Sequence, residues 1–168
     1  EAAKSVGAAY LVVGASARDL LLQHGYGMKV IRATADADFG VQVTTWKQFQ
    51  DICRFLINKG FQETHMAHRL VSPDGLEIDI VPFGDIENED STISWPPSNT
   101  VVMNVLGFED ALASAISVRI SELPELSIPI ANTAGLALMK IIAWIDRSPD
   151  KRAKDAKDLL YLARIFER

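Results

Sequence analysis

The sequence predicts an α+β domain, a small mixed β-sheet flanked by helices and followed by a C-terminal helical pair. Three observations predict it. Short apolar runs bounded by turn residues recur between residues 9 and 84, as strands do. Helix-period segments are interleaved with them, and the last forty residues read as two helices with no strand between. The expected organisation is a core over residues 1–130 and a helical pair over 131–168, forming one compact unit.

The elements follow in order. "AYLVVG" (9–14) is an apolar run ending in Gly, a buried strand entering a tight turn. "SARDLLLQHG" (16–25) is a helix with Ser16 at its start and Gly25 near its stop. "DADFGVQV" (36–43) is a strand. Residues 44–59 form an amphipathic helix capped by Thr44 or Thr45, with Trp46, Phe49, Cys53 and Leu56 as its buried stripe. "GFQETHMAHRLVS" (60–72) and "GLEIDIVPFG" (75–84) flank the turn signal Ser72-Pro73-Asp74-Gly75 and predict an antiparallel hairpin. A polar, Pro-containing excursion occupies 85–99, followed by a strand over "TVVMNVLGF", a short helix over "EDALASA" and extended segments over "SVRI" and "LSIPIAN". Helices over 132–146, capped by Asn132 or Thr133, and over 150–166 finish the chain, separated by Ser148-Pro149-Asp150.

Hydrophobic residues make up 48% of the chain and charged residues 23%, the profile of a globular protein. No apolar run approaches the roughly 20 residues that span a bilayer, and no signal-peptide pattern opens the sequence. The single cysteine, Cys53, excludes an internal disulfide and fits a reducing compartment, so the expected location is the cytoplasm, away from membranes. A net charge of −5 argues against a generic nucleic-acid-binding surface. The charge is uneven, however. Leu70 to Val118 holds nine acids and no Lys or Arg, whereas Lys140 to Arg168 holds eight basic residues against five acids. This pattern reads either as two solvated faces or as one site with walls of opposite charge.

On the strand 36–43 side chains alternate, so Asp36 and Asp38 share one face while Ala37, Phe39 and Val41 share the other. Two neighbouring carboxylates cost free energy unless a cation lies between them. Upstream, "VVGASARD" is a strand–turn–helix in which Gly14 lets backbone approach a ligand and Ser16 sits at a helix start, where phosphate binds readily. Arg18 and Asp19 either pair within that helix or orient the turn. Downstream, "LEIDIV" alternates so that Ile78 and Ile80 face the core and Glu77 and Asp79 face out. Together these form a phosphate cradle, two carboxylates on one strand and a third on a strand able to lie beside it. Hard oxygen ligands of this kind suit Mg²⁺ or Mn²⁺.

The sequence resembles the nucleotidyltransferases of the DNA polymerase β-like superfamily, on "GAS" (14–16), "DAD" (36–38) and "EIDIV" with Asp79. The resemblance covers nearly the whole chain and implies a nucleotidyltransferase fold. It implies Asp36, Asp38 and Asp79 as catalytic, metal-binding residues of a two-metal reaction that moves an NMP from an NTP to an acceptor hydroxyl and releases pyrophosphate. The acceptor would be a tRNA end, a protein hydroxyl or a small molecule such as an aminoglycoside. Two branches compete. "LVVGASARDLLL" with "TADADF" looks like the opening of CCA-adding enzymes and bacterial poly(A) polymerases, although Ala15 replaces the second Gly of their Gly-Gly pair. The tail "LALMKIIAWIDRSPDKRAKDAKDLLYLARIF" is similar to AbiEii/AbiGii toxin-type nucleotidyltransferases, the closer of the two. That likeness implies Lys140 on the nucleotide phosphates, Asp155 as a further site residue with Asp158 beside it, and an antitoxin partner. Gly14, Ala15, Ser16, Arg18, Lys140 and Asp155 are thus the expected nucleotide-binding residues. The rival readings are a catalytically inactive nucleotide-binding or regulatory module of the same fold and a CCA-adding or poly(A)-polymerase-like head domain.

The remaining features read as structure. His65 and His68, three apart on a strand, face opposite ways and make no ligand pair. Cys53 reads as core. Trp46, Trp95 and Trp144 read as core or loop anchors, with Trp95 in "SWPP" also able to floor a base-binding pocket. On the last helix, Leu159, Leu160 and Leu162 are expected to supply the apolar side.

Overall fold

The computed structural model describes residues 1–25, Gly27 and residues 36–166. Thr34 and Ala35 of "TADADF" and Arg168 of the basic tail lie outside the described residues. A short helix α1 (Ala2–Ser5) precedes strand β1 (Ala9–Val13) and helix α2 (Gly14–Leu20), which continues into a π-helical turn over Leu21–Gly25. Strand β2 (Asp36–Val43) and helix α3 (Trp46–Asn58) follow, then β3 (Gln62–Glu63), β4 (Arg69–Val71) and β5 (Glu77–Gly84). Strands β6 (Thr92–Ser94) and β7 (Val102–Asn104) form a separate ribbon ahead of α4 (Phe108–Ala113). The hairpin β8 (Ile116–Glu122) and β9 (Glu125–Ile130) leads into α5 (Thr133–Asp146) and α6 (Pro149–Phe166).

Seven strands make one mixed sheet in the order β3-β4-β5-β2-β1-β9-β8. The β2–β5 and β1–β9 pairs are parallel and the others antiparallel. The architecture is therefore α+β, a mixed sheet flanked by helices with a helical pair at the end of the chain. Leu11, Phe83 and Ile130 are fully excluded from solvent, and each such side chain contributes about 2–3 kcal/mol through burial. Gly40, in the middle of β2, has a packing role. A Cβ there would come within 2.7 Å of both Leu11 and Phe108, so its absence lets α4 close over the sheet.

Several boundaries depart from expectation. Helix α2 starts at Gly14 without a side-chain cap; the Ser16 hydroxyl instead donates to the Asp36 carbonyl (2.8 Å), tying α2 to β2. In α3 the Thr45 hydroxyl is the cap, accepting from the Gln48 N–H, and Ile52 joins Phe49 as the fully buried pair while Trp46, Cys53 and Leu56 are partly buried. Residues 64–68 are not strand, because the Thr64 hydroxyl bonds the Met66 N–H and the Arg69 carbonyl and turns the chain out of the ladder. Only Val102–Asn104 of "TVVMNVLGF" pairs as strand. The Asn132 side chain caps α5 by accepting from the Gly135 N–H (2.8 Å). Trp144 is an exposed ring under the Arg152 guanidinium (5.0 Å), and Arg152 also donates to the Ile145 and Arg147 carbonyls that end α5. Leu162 is buried but Leu160 is exposed. No helix among the described residues is long and apolar enough to cross a membrane.

Candidate active site

The β1–α2 turn and β2 meet at the first functional contact. Antiparallel register sets Val13 opposite Asp38, and the next residue, Gly14, has φ +66°. A Cβ on Gly14 would lie 2.0 Å from Asp38 Oδ2. Both the left-handed backbone and this close approach require glycine. The first turn of α2, with Ala15 and Ser16, is thereby laid against the carboxylate strand.

Parallel pairing of β2 with β5 sets Asp38 beside Asp79 and Asp36 beside Glu77. Alternation puts all four acids on one face, while Ile78 and Ile80 are buried on the other, as the pattern of "LEIDIV" predicts. Burial, with Asp36 and then Asp79 as like charges nearby, pushes the Asp38 carboxyl up to about 6; Lys140 and Arg69 oppose the shift. Asp38 thus carries an electrostatic load that a bound cation would relieve.

Sequence reasoning passed over Arg69, which is central to the site. From β4 it grips Asp79 with two parallel bonds, Nε to Oδ1 at 2.6 Å and Nη2 to Oδ2 at 2.7 Å, and reaches Glu77 with Nη1 at 2.5 Å. The signal was available. Counting back through the Ser72–Gly75 turn pairs Val71 with Glu77, Leu70 with Ile78 and Arg69 with Asp79, an opposite-charge cross-strand pair.

The second wall comes from α5 and α6. Lys140 pairs with Asp158 (2.8 Å) and Asp155 (3.2 Å). Asp155 is fully buried and also takes two bonds from Arg147 Nη1 (2.8 and 2.9 Å), so it stands behind Lys140 within the α5–α6 seam. Arg18, on α2, bonds Asp19 (2.9 Å), approaches Asp158 (3.5 Å) and lies over the Tyr161 ring (5.7 Å). Arg18 therefore pairs with Asp19 within its helix and also reaches α6, a contact that neither expected reading included.

Among the described residues no three His, Cys, Asp or Glu side chains converge closely enough to enclose a metal. The Asp36 and Asp38 carboxylates still fit a divalent ion chemically. They are hard donors on one strand face, they repel one another, and Mg²⁺ characteristically takes one or two carboxylates with substrate phosphates completing the shell. Asp79 differs, because both of its oxygens are engaged by Arg69.

The bland features sort themselves by position. The His68 ring lies 6.0 Å from Trp95, and burial lowers its pKa. Trp95 is buried against Trp46 (5.3 Å) and Phe49 (5.6 Å) and lines a cleft of about 400 Å³ with Cys53 and Arg54; the three aspartates do not line it. Burial pushes the Cys53 thiol up to about 11, which suits a packed side chain rather than a nucleophile.

No family model matches the chain, and no curated protein matches it. Solved structures do. The lincomycin-bound lincosamide antibiotic adenylyltransferase LnuA is 16% identical with a TM-score of 0.53, over 95% of this chain and 90% of that one. A nucleotidyltransferase-like protein from Paracoccidioides brasiliensis is 15% identical with a TM-score of 0.56, over 97% of this chain and 71% of that one. The fold is that of the nucleotidyltransferases.

Proposed function

We propose that the protein is a Mg²⁺-dependent nucleotidyltransferase that moves an NMP from an NTP to an acceptor hydroxyl. The observation that carries this reading is Asp38, set between Asp36 and Asp79 with the Gly14 backbone against it. Asp36 and Asp38 would hold the metal, which when bound neutralises charge on the phosphates and the leaving pyrophosphate. Gly14, Ala15 and Ser16 offer a close backbone surface, and Lys140 with Arg18 supplies positive charge for the triphosphate. Asp79, which Arg69 holds in orientation, would accept the proton of the acceptor hydroxyl, a role that requires Arg69 to release one of its two oxygens. The acceptor oxygen bonds to the α-phosphorus, the bond from that phosphorus to the bridging oxygen breaks, and pyrophosphate leaves.

The acceptor would be a hydroxyl-bearing small molecule, as the lincomycin in the LnuA structure suggests by analogy of fold, a tRNA end or a protein hydroxyl. The toxin role and antitoxin partner rest on the tail motif alone. The test is transfer of α-phosphate label from each of the four NTPs to lincosamides, aminoglycosides, a tRNA pool and the protein itself. Label should move only with Mg²⁺ or Mn²⁺, and Asp36→Ala or Asp38→Ala should abolish it. Normal transfer in either variant would sink the assignment. One observation favours a second reading, a nucleotide-binding module without catalysis: Arg69 occupies both oxygens of Asp79. That module would bind a nucleotide with metal and transfer no label to any acceptor.

A further inference from the structure

Asp158 occupies an unusual place. It forms an ion pair with Lys140 on α5 through Oδ2 at 2.8 Å and another with Arg18 on α2 through Oδ1 at 3.5 Å. It thus bridges two cations from different elements, and these are the cations the nucleotidyltransferase reading assigns to the triphosphate. Its neighbour Asp155 also touches Lys140, but Asp155 is fully buried and held twice by Arg147. An incoming anion cannot displace it. Asp158 is about one-fifth exposed and has no such second anchor among its described contacts. Neither cation depends on it alone, since Arg18 keeps Asp19 and Lys140 keeps Asp155.

From this geometry, and resting on that reading, we infer that Asp158 is an affinity-setting residue, an internal anion that fills the place of the triphosphate on Lys140 and Arg18 and is exchanged for phosphate oxygens when nucleotide binds. A phosphate chain carries more charge and more acceptor oxygens than one carboxylate, so it wins the exchange, yet each binding event must overcome the Asp158 contacts and the repulsion of its charge. Removing that charge should tighten binding, the opposite of what loss of a positioning residue does.

The test is isothermal titration calorimetry of the full chain with inorganic tripolyphosphate and, separately, with each NTP plus Mg²⁺. Asp158→Asn is expected to bind about three- to tenfold more tightly than the wild type at low salt, with the advantage shrinking as salt rises. A double-mutant cycle with Lys140→Ala should remove most of the gain, because the competition is for that cation. Asp158→Ser tests the same point if the Asn variant does not fold. Wild-type binding with equal or weaker binding in the Asp158 variants overturns the inference and makes Asp158 a positioning residue. No binding of tripolyphosphate or any NTP to either protein overturns the nucleotidyltransferase reading as well.

Discussion

Asp38 is where backbone, charge and chemistry coincide. Its carboxyl, pushed up to about 6 by burial and by Asp36 and Asp79, holds a proton in the folded state that the unfolded chain has already released. Between the ordinary carboxylate value near 4 and about 6, the metal-free protein therefore loses stability as pH rises, by at most about 1.4 kcal/mol per pH unit and less because the group is partly solvated. Asp38→Asn removes that load. Its melting temperature without metal should exceed that of the wild type at neutral pH, with the two converging toward pH 4, while its label transfer is abolished. Thermal melts across this pH range check the first part, and a variant less stable than wild type at neutral pH contradicts it. At this scale the acids were legible, because Asp-x-Asp on a strand and the alternation of "LEIDIV" show their shared face. Arg69 was legible in principle through the hairpin register. Arg147, eight residues before Asp155, was not, because no local pattern links a residue ending one helix to a carboxylate buried in the next.

Among the elements, α6 departs most from its own pattern. Its inward positions include Asp155, Asp158 and Leu162, at helical spacing, whereas Leu160 faces water. Acids stand where an apolar stripe is expected, and periodicity therefore assigned Leu160 to the wrong side. The arrangement is possible only because Lys140 and Arg147 from α5 meet the buried charge. Asp155→Asn should destabilise the protein by about 3 kcal/mol, since Arg147 and Lys140 lose a desolvated partner. Urea unfolding measures this, and a change below about 1 kcal/mol would show that the seam does not depend on the charge. Caps were easier to read than strands here. Asn132 and Thr45 cap helices as their positions predict, since that preference is local. The short β3 and β4 were over-read, because the hydroxyl of Thr64 breaks a run whose composition still looks like strand.

For the whole molecule, the uneven charge of the sequence enters the candidate site through only a few residues, Glu77 and Asp79 from the acidic stretch and Lys140 from the basic one. The acids of β2 and β5 form one wall, and Lys140, with its charge felt at Asp38, belongs to the other. The order of the five predicted helices followed from local pattern, but α1 and β6 were not predicted, the run 60–72 split into β3 and β4, and the sheet order did not follow either. The β1–β9 pairing joins Val12 to Ile130, and nothing in either segment names the other. The parallel register of β2 on β5 converts two separate acidic patterns into one cluster, and only the fold supplies it. The proposed function requires this cluster to bind a nucleotide through a metal. It is tested most directly by thermal shift with ATP, GTP, CTP and UTP, each with and without Mg²⁺, on the wild type and Asp38→Asn. A nucleotide bound to the native state raises apparent stability with the logarithm of its saturation. A Mg²⁺-dependent rise is expected for at least one nucleotide in the wild type and none in Asp38→Asn. An equal rise in both proteins, or a rise that ignores Mg²⁺, would contradict the proposed function.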